Sequence, residues 1–319
     1  MFSRIFVILV MAAAAGCAER SRPDLVPPQP PGSARLQTIG ELKTFEETLG
    51  GHATENFLHV SERPAADERC YFTGKLQLPE FYSGLRMVRE DEGECTARAP
   101  DNDVFFYRIE AVASGQEAIS ASLADAPVER LFMVVPHEDF HNQAEAGKAP
   151  TEVAESAATL VGFLTASGFA KESLGEASSA HRRLDLEAGL FLQKSLIVNR
   201  FYDKVSALYA AFRSGTLTEG ETSDRKTALF AELKQSCSEI SPDPVSFNKC
   251  PAAMNNAGLA FDRTYTRNYP MMHDLYELLG HDTPALVSAL KRLMANWPGA
   301  AADAVELLGA MRVSEAKKE

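Results

Sequence analysis

The residues best suited to chemistry form one short run, His137-Glu138-Asp139-Phe140-His141, which is the H-E-x-x-H pattern. On a helix, residues four apart lie on the same face, so both imidazoles can reach one metal ion. Imidazole suits Zn²⁺, and a carboxylate beside the metal is the general base of zinc hydrolases. The run therefore predicts a Zn²⁺ site with two histidine ligands and Glu138 as base. The alternative is an ordinary helix with two polar histidines.

The segment before the histidines indicates a buried setting. Residues 131–135 are all apolar, so the chain enters a core there, and a solvated histidine pair does not belong in a core. Pro127 is predicted to be the first residue of the helix. Pro136 directly precedes His137, so the helix either restarts at Pro136 or bends there.

The third metal ligand has to come from further along the chain. The metzincin pattern requires glycine at 144 and histidine at 147, but the chain has Ala144 and Gly147, which excludes that class. Glu145 is the first carboxylate downstream, only one turn past His141, and a tetrahedral site is better closed from a second helix. Glu152 and Glu155 are the next carboxylates.

Glu155 is the predicted third ligand. It is the only charged residue between Val153 and Ala170, and it lies opposite an apolar stripe, among small residues. Such a helix is expected to be buried on both sides. A lone buried carboxylate is costly unless it is paired or bound to a metal. The alternative is a carboxylate that is hydrogen-bonded within a helical core.

The first residues of the chain have the pattern of a secretion signal. Arg4 supplies a positive charge, and the apolar residues 5–15 are too few to span a bilayer. The run Ala-Ala-Gly-Cys that ends at Cys17 is typical of bacterial lipoproteins, in which the cysteine is lipidated. We therefore predict a signal peptide over residues 1–16 and a lipid anchor on Cys17. An ordinary signal peptide cut nearby is the alternative.

Residues 17–38 are rich in proline and are predicted to form an extended tether. Ala18 follows the cysteine where aspartate would retain a lipoprotein in the inner membrane, so we expect an outer-membrane anchor facing the periplasm. Residues 39–316 are predicted to form a single zincin-like catalytic domain.

The composition of the chain limits the classes of partner that it can bind. The net charge of −12 and the lack of a basic stripe argue against nucleic acid. The expected partners are a peptide or protein substrate and, through the anchor, a membrane. Beyond the signal, no apolar stretch is predicted to cross a membrane.

Four cysteines follow Cys17, and an even number in an exported chain suggests disulfides. Three pairings are possible. The local one, Cys70–Cys95 with Cys237–Cys250, is preferred because each pair brackets a loop-like segment.

The predicted fold is mainly α with a small β portion (α+β). Strands or extended segments are expected over residues 56–60 and 70–72, and residues 103–109 have the strongest strand signal in the chain. That strand is expected either to border the site or to pack over helices. Further helices are expected over residues 44–49, 184–212, 222–237, 252–266, 271–279, 284–294 and 301–311.

Three stretches of the sequence resemble the bacterial Putative aminopeptidase family, zinc-dependent proteins of the gluzincin type that are often lipoproteins. The stretches are residues 134–142 with 155–161, 208–215 with 225–230, and 255–259 with 264–270, and the likeness runs over most of residues 45–295. The resemblance implies that His137, His141 and Glu155 bind zinc and that Glu138 is the general base. It also places Tyr265 in a matching stretch.

The chain departs from the family pattern at Pro136, at Asp139-Phe140, at Ala154 and at Gly162, without losing a ligand. The expected activity is that of a membrane-anchored zinc metallopeptidase, in first place an aminopeptidase. Tyr265 is a candidate oxyanion donor, and a packed helix tyrosine is the alternative. An endopeptidase and a non-catalytic envelope lipoprotein that keeps the fold as a scaffold or binding module are the alternative functions.

Overall fold

The structure is a computed structural model that describes residues 33–63, 65–112 and 114–297, together with residues 306 and 309. The predicted signal peptide, the anchor on Cys17 and the first part of the tether lie outside the described residues. The helix predicted over residues 301–311 also lies almost wholly outside them.

Helices make up most of the described chain. Their bounds are α1 Ser33–Thr48, α2 Glu92–Thr96, α3 Ala121–Asp125, α4 Val128–His141, α5 Thr151–Leu174, α6 Ser179–Arg213, α7 Glu219–Ser238, α8 Asn256–Thr266, α9 Tyr269–Leu278 and α10 Thr283–Ala295. The long predicted helices are therefore confirmed, with ends that differ by a few residues.

One small antiparallel sheet accompanies the helices. Its strands are β1 Asp67–Gly74, β2 Arg86–Val88 and β3 Asn102–Ile109, and β1 lies in the middle. Opposite Tyr71 lie Phe105 on one side and Met87 on the other. The α+β prediction and the strong strand signal are confirmed. The strand or extended segment predicted over residues 56–60 is wrong. Residues 56–59 form turns and bends, and Val60 makes a single bridge to Ile119.

The sheet packs against α8 through aromatic rings. The Phe105 and Phe261 rings meet edge to face with centroids 4.7 Å apart, and Tyr71 lies 5.2 Å from the same Phe261 ring. Edge-to-face packing is favourable beyond the area that it buries. This contact holds β3 beside the helical core.

Helix α5 runs through the centre of the core and packs on α1, α4, α6, α8, α9 and α10. By length and composition it is the candidate membrane span within the described residues, contrary to the sequence expectation. However, 78% of its apolar window is buried inside the fold, as expected for a core helix. The burial of Ala157, Leu160 and Phe163 explains its apolar composition.

Helix α4 continues through Pro136 without a restart, and Pro127 is its N-cap rather than its first residue. Pro136 has no N–H to donate to the preceding turn, which costs about 3 kcal/mol in a helix interior. Leu131, Phe132 and Val135 are almost completely buried beside it. Each such side chain gains about 1.5–3 kcal/mol on burial, so packing outweighs the lost hydrogen bond.

Helix α1 begins at Ser33, inside the stretch predicted to be tether, and it extends the short helix expected over residues 44–49. Ile39 and Leu42 lie on one face and are buried in the main core, and the Phe45 ring lies 5.8 Å from that of Phe169. An amphipathic face of this kind makes α1 part of the folded domain.

The predicted Cys70–Cys95 bridge is formed and joins β1 to α2. The second predicted bridge is not formed, and Cys237 and Cys250 are thiols. The two sulfurs are neighbours that share a hydrogen bond. That bond, together with burial, raises the pKa of Cys237, and the same bond lowers the pKa of Cys250.

Candidate metal centre

The three predicted ligands meet at one point between α4 and α5. The Nε2 atoms of His137 and His141 lie 3.2 Å apart, and the Glu155 Oε2 atom lies 3.1 Å from His141 and 3.3 Å from His137. Their side chains are between 10% and 15% exposed. In the described residues, Glu145 and Glu152 do not belong to this cluster.

The spacing of these atoms fits tetrahedral coordination. Metal–nitrogen and metal–oxygen distances of about 2.0–2.1 Å place two ligand atoms of a tetrahedron about 3.3 Å apart. The three measured separations lie within a few tenths of an ångström of that value. A single ion bound to all three would leave one position open, which is the arrangement of catalytic rather than structural zinc sites.

The three side chains strongly shift one another's pKa values. Burial lowers the pKa of His141, but the charge of Glu155 and its hydrogen bond more than offset burial and raise that pKa to about 8. Burial raises the pKa of Glu155, but His141 and His137 more than offset it and hold the pKa far below its ordinary value. Glu155 is therefore an ionised carboxylate between two imidazoles.

Glu138 follows His137 on α4 and lines a cavity beside the cluster. Burial raises the pKa of Glu138, while His137 and His141 act in the opposite direction. Glu138 is not a member of the three-ligand cluster. Its carboxylate therefore lies beside the cluster and does not form part of it.

A glycine allows the close approach of α4 and α5. A Cβ atom on Gly162 would lie 2.9 Å from the carbonyl oxygen of Met133 and 3.3 Å from the Cβ of His137. Gly162 lies two turns after Glu155, on the same face of α5. The missing side chain therefore sets the distance between the helix that supplies both histidines and the helix that supplies the carboxylate.

Asp139 fixes the opposite face of α4. Its buried carboxylate accepts hydrogen bonds from Lys43 of α1, from Thr54 at 2.5 Å and from Asn56 at 2.9 Å. Residues two apart on a helix point to nearly opposite sides, so this network lies behind the histidines. Asp139, one of the positions at which the chain departs from the family pattern, thus ties α4 to the N-terminal segment.

One ring nitrogen of His137 makes no hydrogen bond within the part of the chain that the structure describes. His137 Nδ1 is buried and has no hydrogen-bond partner among the described residues. Metal-binding histidines usually donate this N–H to a carboxylate or carbonyl, which fixes the tautomer. Packing therefore orients His137, whose ring faces that of Tyr265 and whose Cβ lies where a side chain at Gly162 would meet it.

A cavity of about 590 Å³ opens beside His137 and Glu138. Tyr265 of α8 lines it, and its ring lies nearly parallel to that of His137 with centroids 6.4 Å apart. The β3 residues Phe105 and Tyr107 line it as well, so the strong strand signal lies at the cavity wall. Burial, followed by the charge of Glu155, raises the pKa of Tyr265, so its hydroxyl keeps its proton and can donate.

Two charged pairs in this cavity were missed by sequence reasoning. Arg130 pairs with Glu110 at 2.8 Å, and Lys194 pairs with Asp262 at 2.8 Å. Both pairs join residues that are distant in the chain. The sequence contains one indication of the second pair. Asp262 lies one helical turn before Tyr265, so the two side chains share a face of the predicted helix.

The loop after α7 closes the cavity. Glu187 of α6 accepts hydrogen bonds from the backbone N–H groups of Val245 and Ser246, each at 3.0 Å, and from the Ser246 hydroxyl. These bonds hold Phe247 against Phe191, with ring centroids 5.0 Å apart. The loop therefore forms a fixed wall opposite the histidines.

The structure thus defines a mainly helical protein in which two histidines and a glutamate form a candidate metal centre beside a cavity. The family described as Putative aminopeptidase has a sequence model that matches residues 116–302. This match covers more than half of the chain, and the chain belongs to that family. The matched part contains α3 to α10 and every residue of the candidate centre. No curated protein and no solved structure matches the chain.

Proposed function

We propose that this protein is a zinc metallopeptidase of zincin-like, gluzincin-type fold that removes residues from the amino end of peptides. The observation that carries the proposal is the convergence of three ligand atoms within 3.1–3.3 Å at the wall of a cavity of about 590 Å³. The family description suggests a peptidase. The H-E-x-x-H run and the cavity together support hydrolysis assisted by a metal.

His137, His141 and Glu155 would hold the ion. Bound zinc supplies a Lewis acid that polarises a scissile carbonyl and makes a water molecule acidic near neutral pH. The donor set of two imidazoles and one carboxylate is that of catalytic zinc sites in peptidases. The anionic state of Glu155 offsets part of the charge of the ion.

Glu138 moves the protons. It accepts a proton from the attacking water and returns it to the leaving amine, since a positioned carboxylate can act as base and then as acid. Its place next to His137 puts it on the cavity side of α4. The role requires a carboxylate, which glutamine at this position cannot supply.

Tyr265 stabilises the developing oxyanion. Its ring faces His137 and its hydroxyl keeps its proton, so it can donate a hydrogen bond to an oxygen in the cavity. Its neighbour on β3, Tyr107, contributes to the same wall.

The protein acts in the cell envelope. Cys17 would carry a lipid, and residues 18–32 would hold the folded part away from an outer membrane on its periplasmic side. The Cys70–Cys95 disulfide supports an oxidising compartment. The lipoprotein-type sequence that ends at Cys17 supports the anchor.

The proposal is tested with soluble protein that lacks residues 1–17. Peptides with a free amino end and the same peptides with an acetylated end are offered in parallel. We expect hydrolysis of the free peptides only, loss of activity with a chelator and recovery with zinc. Equal cleavage of both sets would make the protein an endopeptidase. Hydrolysis that the chelator does not affect would contradict the zinc proposal.

A further inference from the structure

A second polar group lies in the wall of the cavity that holds Glu138. The ammonium of Lys194 on α6 is 2.8 Å from the carboxylate of Asp262 on α8, and both side chains line the cavity. The Lys194 side chain is only 6% exposed. Its nitrogen lies 5.6 Å and 5.8 Å from the ring centroids of Phe191 and Phe247. A lysine is thus held, nearly dehydrated, between two aromatic rings.

The hydrogen-bonding capacity of Lys194 is not used up. An ammonium has three N–H donors. Among the described residues, it contacts one carboxylate and the faces of two rings. A desolvated charge is costly when its donors lack acceptors, so an anionic ligand in the cavity would be bound favourably.

Arg130, another cation that lines the cavity, differs in this respect. The Arg130 guanidinium donates to Glu110 at 2.8 Å and to the backbone carbonyl of Ser246. It also has a hydrogen bond to the Tyr107 hydroxyl. Arg130 therefore serves the wall itself, whereas Lys194 has donors left for a ligand.

Helix α8 allows the distance between Lys194 and the candidate metal centre to be approximated. Asp262 and Tyr265 are three residues apart, a rise of about 4.5 Å. The Tyr265 ring lies 6.4 Å from that of His137. The anchor and the centre are therefore separated by on the order of 10 Å, which an extended chain spans with about three residues.

We propose that Lys194, held in place by Asp262, binds a carboxylate of the substrate and so selects short peptides. The proposal rests on the proposed peptidase function. The carboxylate is the free C-terminus of a short peptide, and an acidic side chain near that end could take its place. A cavity of about 590 Å³ lies within the range of sites for small ligands. Lys194 is thus a specificity-determining residue at the end of the cavity away from the chemistry.

The test compares three substrates: trialanine, trialanine amide, and an amidated tripeptide with glutamate at its last position. For the wild-type zinc enzyme we expect kcat/KM to be about ten- to a hundredfold higher for trialanine than for its amide, the usual worth of a charge-assisted hydrogen bond. Lys194→Met should bring this ratio close to one, and Lys194→Arg should keep most of it. A glutamate amide that is cleaved as well as trialanine shows that the site also accepts an acidic side chain, and poor cleavage restricts the site to the terminal carboxylate.

Two further variants keep the test decisive. Lys194→Met leaves Asp262 buried and unpaired, so Lys194→Met/Asp262→Asn removes both charges if the single variant does not fold. Lys204→Met is the matched control, because Lys204 lies on the same helix and pairs at 2.6 Å with Glu232 at the surface. The control should keep the wild-type ratio. A folded Lys194 variant that also keeps it overturns the proposal.

Calorimetric titration separates this proposal from the peptidase proposal. If the wild type hydrolyses none of the peptides, the peptidase proposal fails. Tighter binding of trialanine than of its amide, lost in Lys194→Met, would still support the carboxylate site. Equal binding of the two ligands by the wild type would refute it.

Discussion

Replacing Gly162 with alanine tests whether close packing of α4 and α5 builds the centre. The new methyl group would lie 2.9 Å from the carbonyl oxygen of Met133 and 3.3 Å from the Cβ of His137. A backbone carbonyl inside a helix cannot turn away, so the two helices must separate by a few tenths of an ångström. Overpacking of this kind costs about 1–3 kcal/mol. Alanine regains about 1 kcal/mol of helix propensity, which leaves a net loss of roughly 0–2 kcal/mol.

The same displacement should weaken metal binding. Metal–ligand distances tolerate about 0.2 Å, which is less than the expected separation of the helices. Gly162→Ala should therefore bind zinc about tenfold or more weakly than the wild type, as is typical when the support of a ligand is disturbed. Chelator competition measures zinc affinity, and urea unfolding of the zinc-free protein measures stability separately.

Gly189 provides the matched control. It lies inside α6, and a Cβ atom there meets nothing within 4 Å. Gly189→Ala should raise the free energy of unfolding by up to about 1 kcal/mol and leave zinc affinity unchanged. The packing argument is refuted if Gly162→Ala stabilises the protein as much as Gly189→Ala does and binds zinc like the wild type.

Three further outcomes are expected. Glu155→Gln should lower zinc content sharply, since an anionic ligand is replaced by a neutral amide; full zinc retention, measured by metal analysis, would move the third ligand elsewhere, with Glu152 next. Cys17→Ser should shift the protein from the membrane fraction to the soluble fraction or to uncleaved precursor, and unchanged fractionation would contradict the anchor. Replacing Cys70 and Cys95 together by alanine should lower the free energy of unfolding by roughly 3 kcal/mol, because the bridge closes a loop with a sequence separation of 25; an unchanged urea midpoint would contradict that.

The part of the site that sequence could predict is local. His137, Glu138 and His141 lie within five residues, so helical periodicity alone places the two imidazoles on one face. Glu155 could be selected because a single carboxylate interrupts a long apolar and small-residue helix. These predictions needed only the properties of one helix at a time.

The parts that sequence could not predict depend on contacts between distant residues. Asp139 is held by Lys43, and Lys194 by Asp262, and no short-range pattern links either pair. The strand expected near residue 58 failed for a similar reason. Phe57 has a φ of 63°, in the left-handed region, which interrupts an extended run, and Val60 makes only one bridge. Strand formation requires a paired neighbour, which the sequence does not show.

The most direct test of the central claim is a comparison of the wild type with Glu138→Gln. In the proposed mechanism Glu138 moves protons and does not bind the ion, so the wild type and the variant should each hold about one zinc per chain. Its hydrolysis of short peptides with a free amino end should fall by about 10²- to 10⁴-fold. Equal rates for the two proteins, both unaffected by a chelator, would contradict the account and favour a non-catalytic envelope lipoprotein.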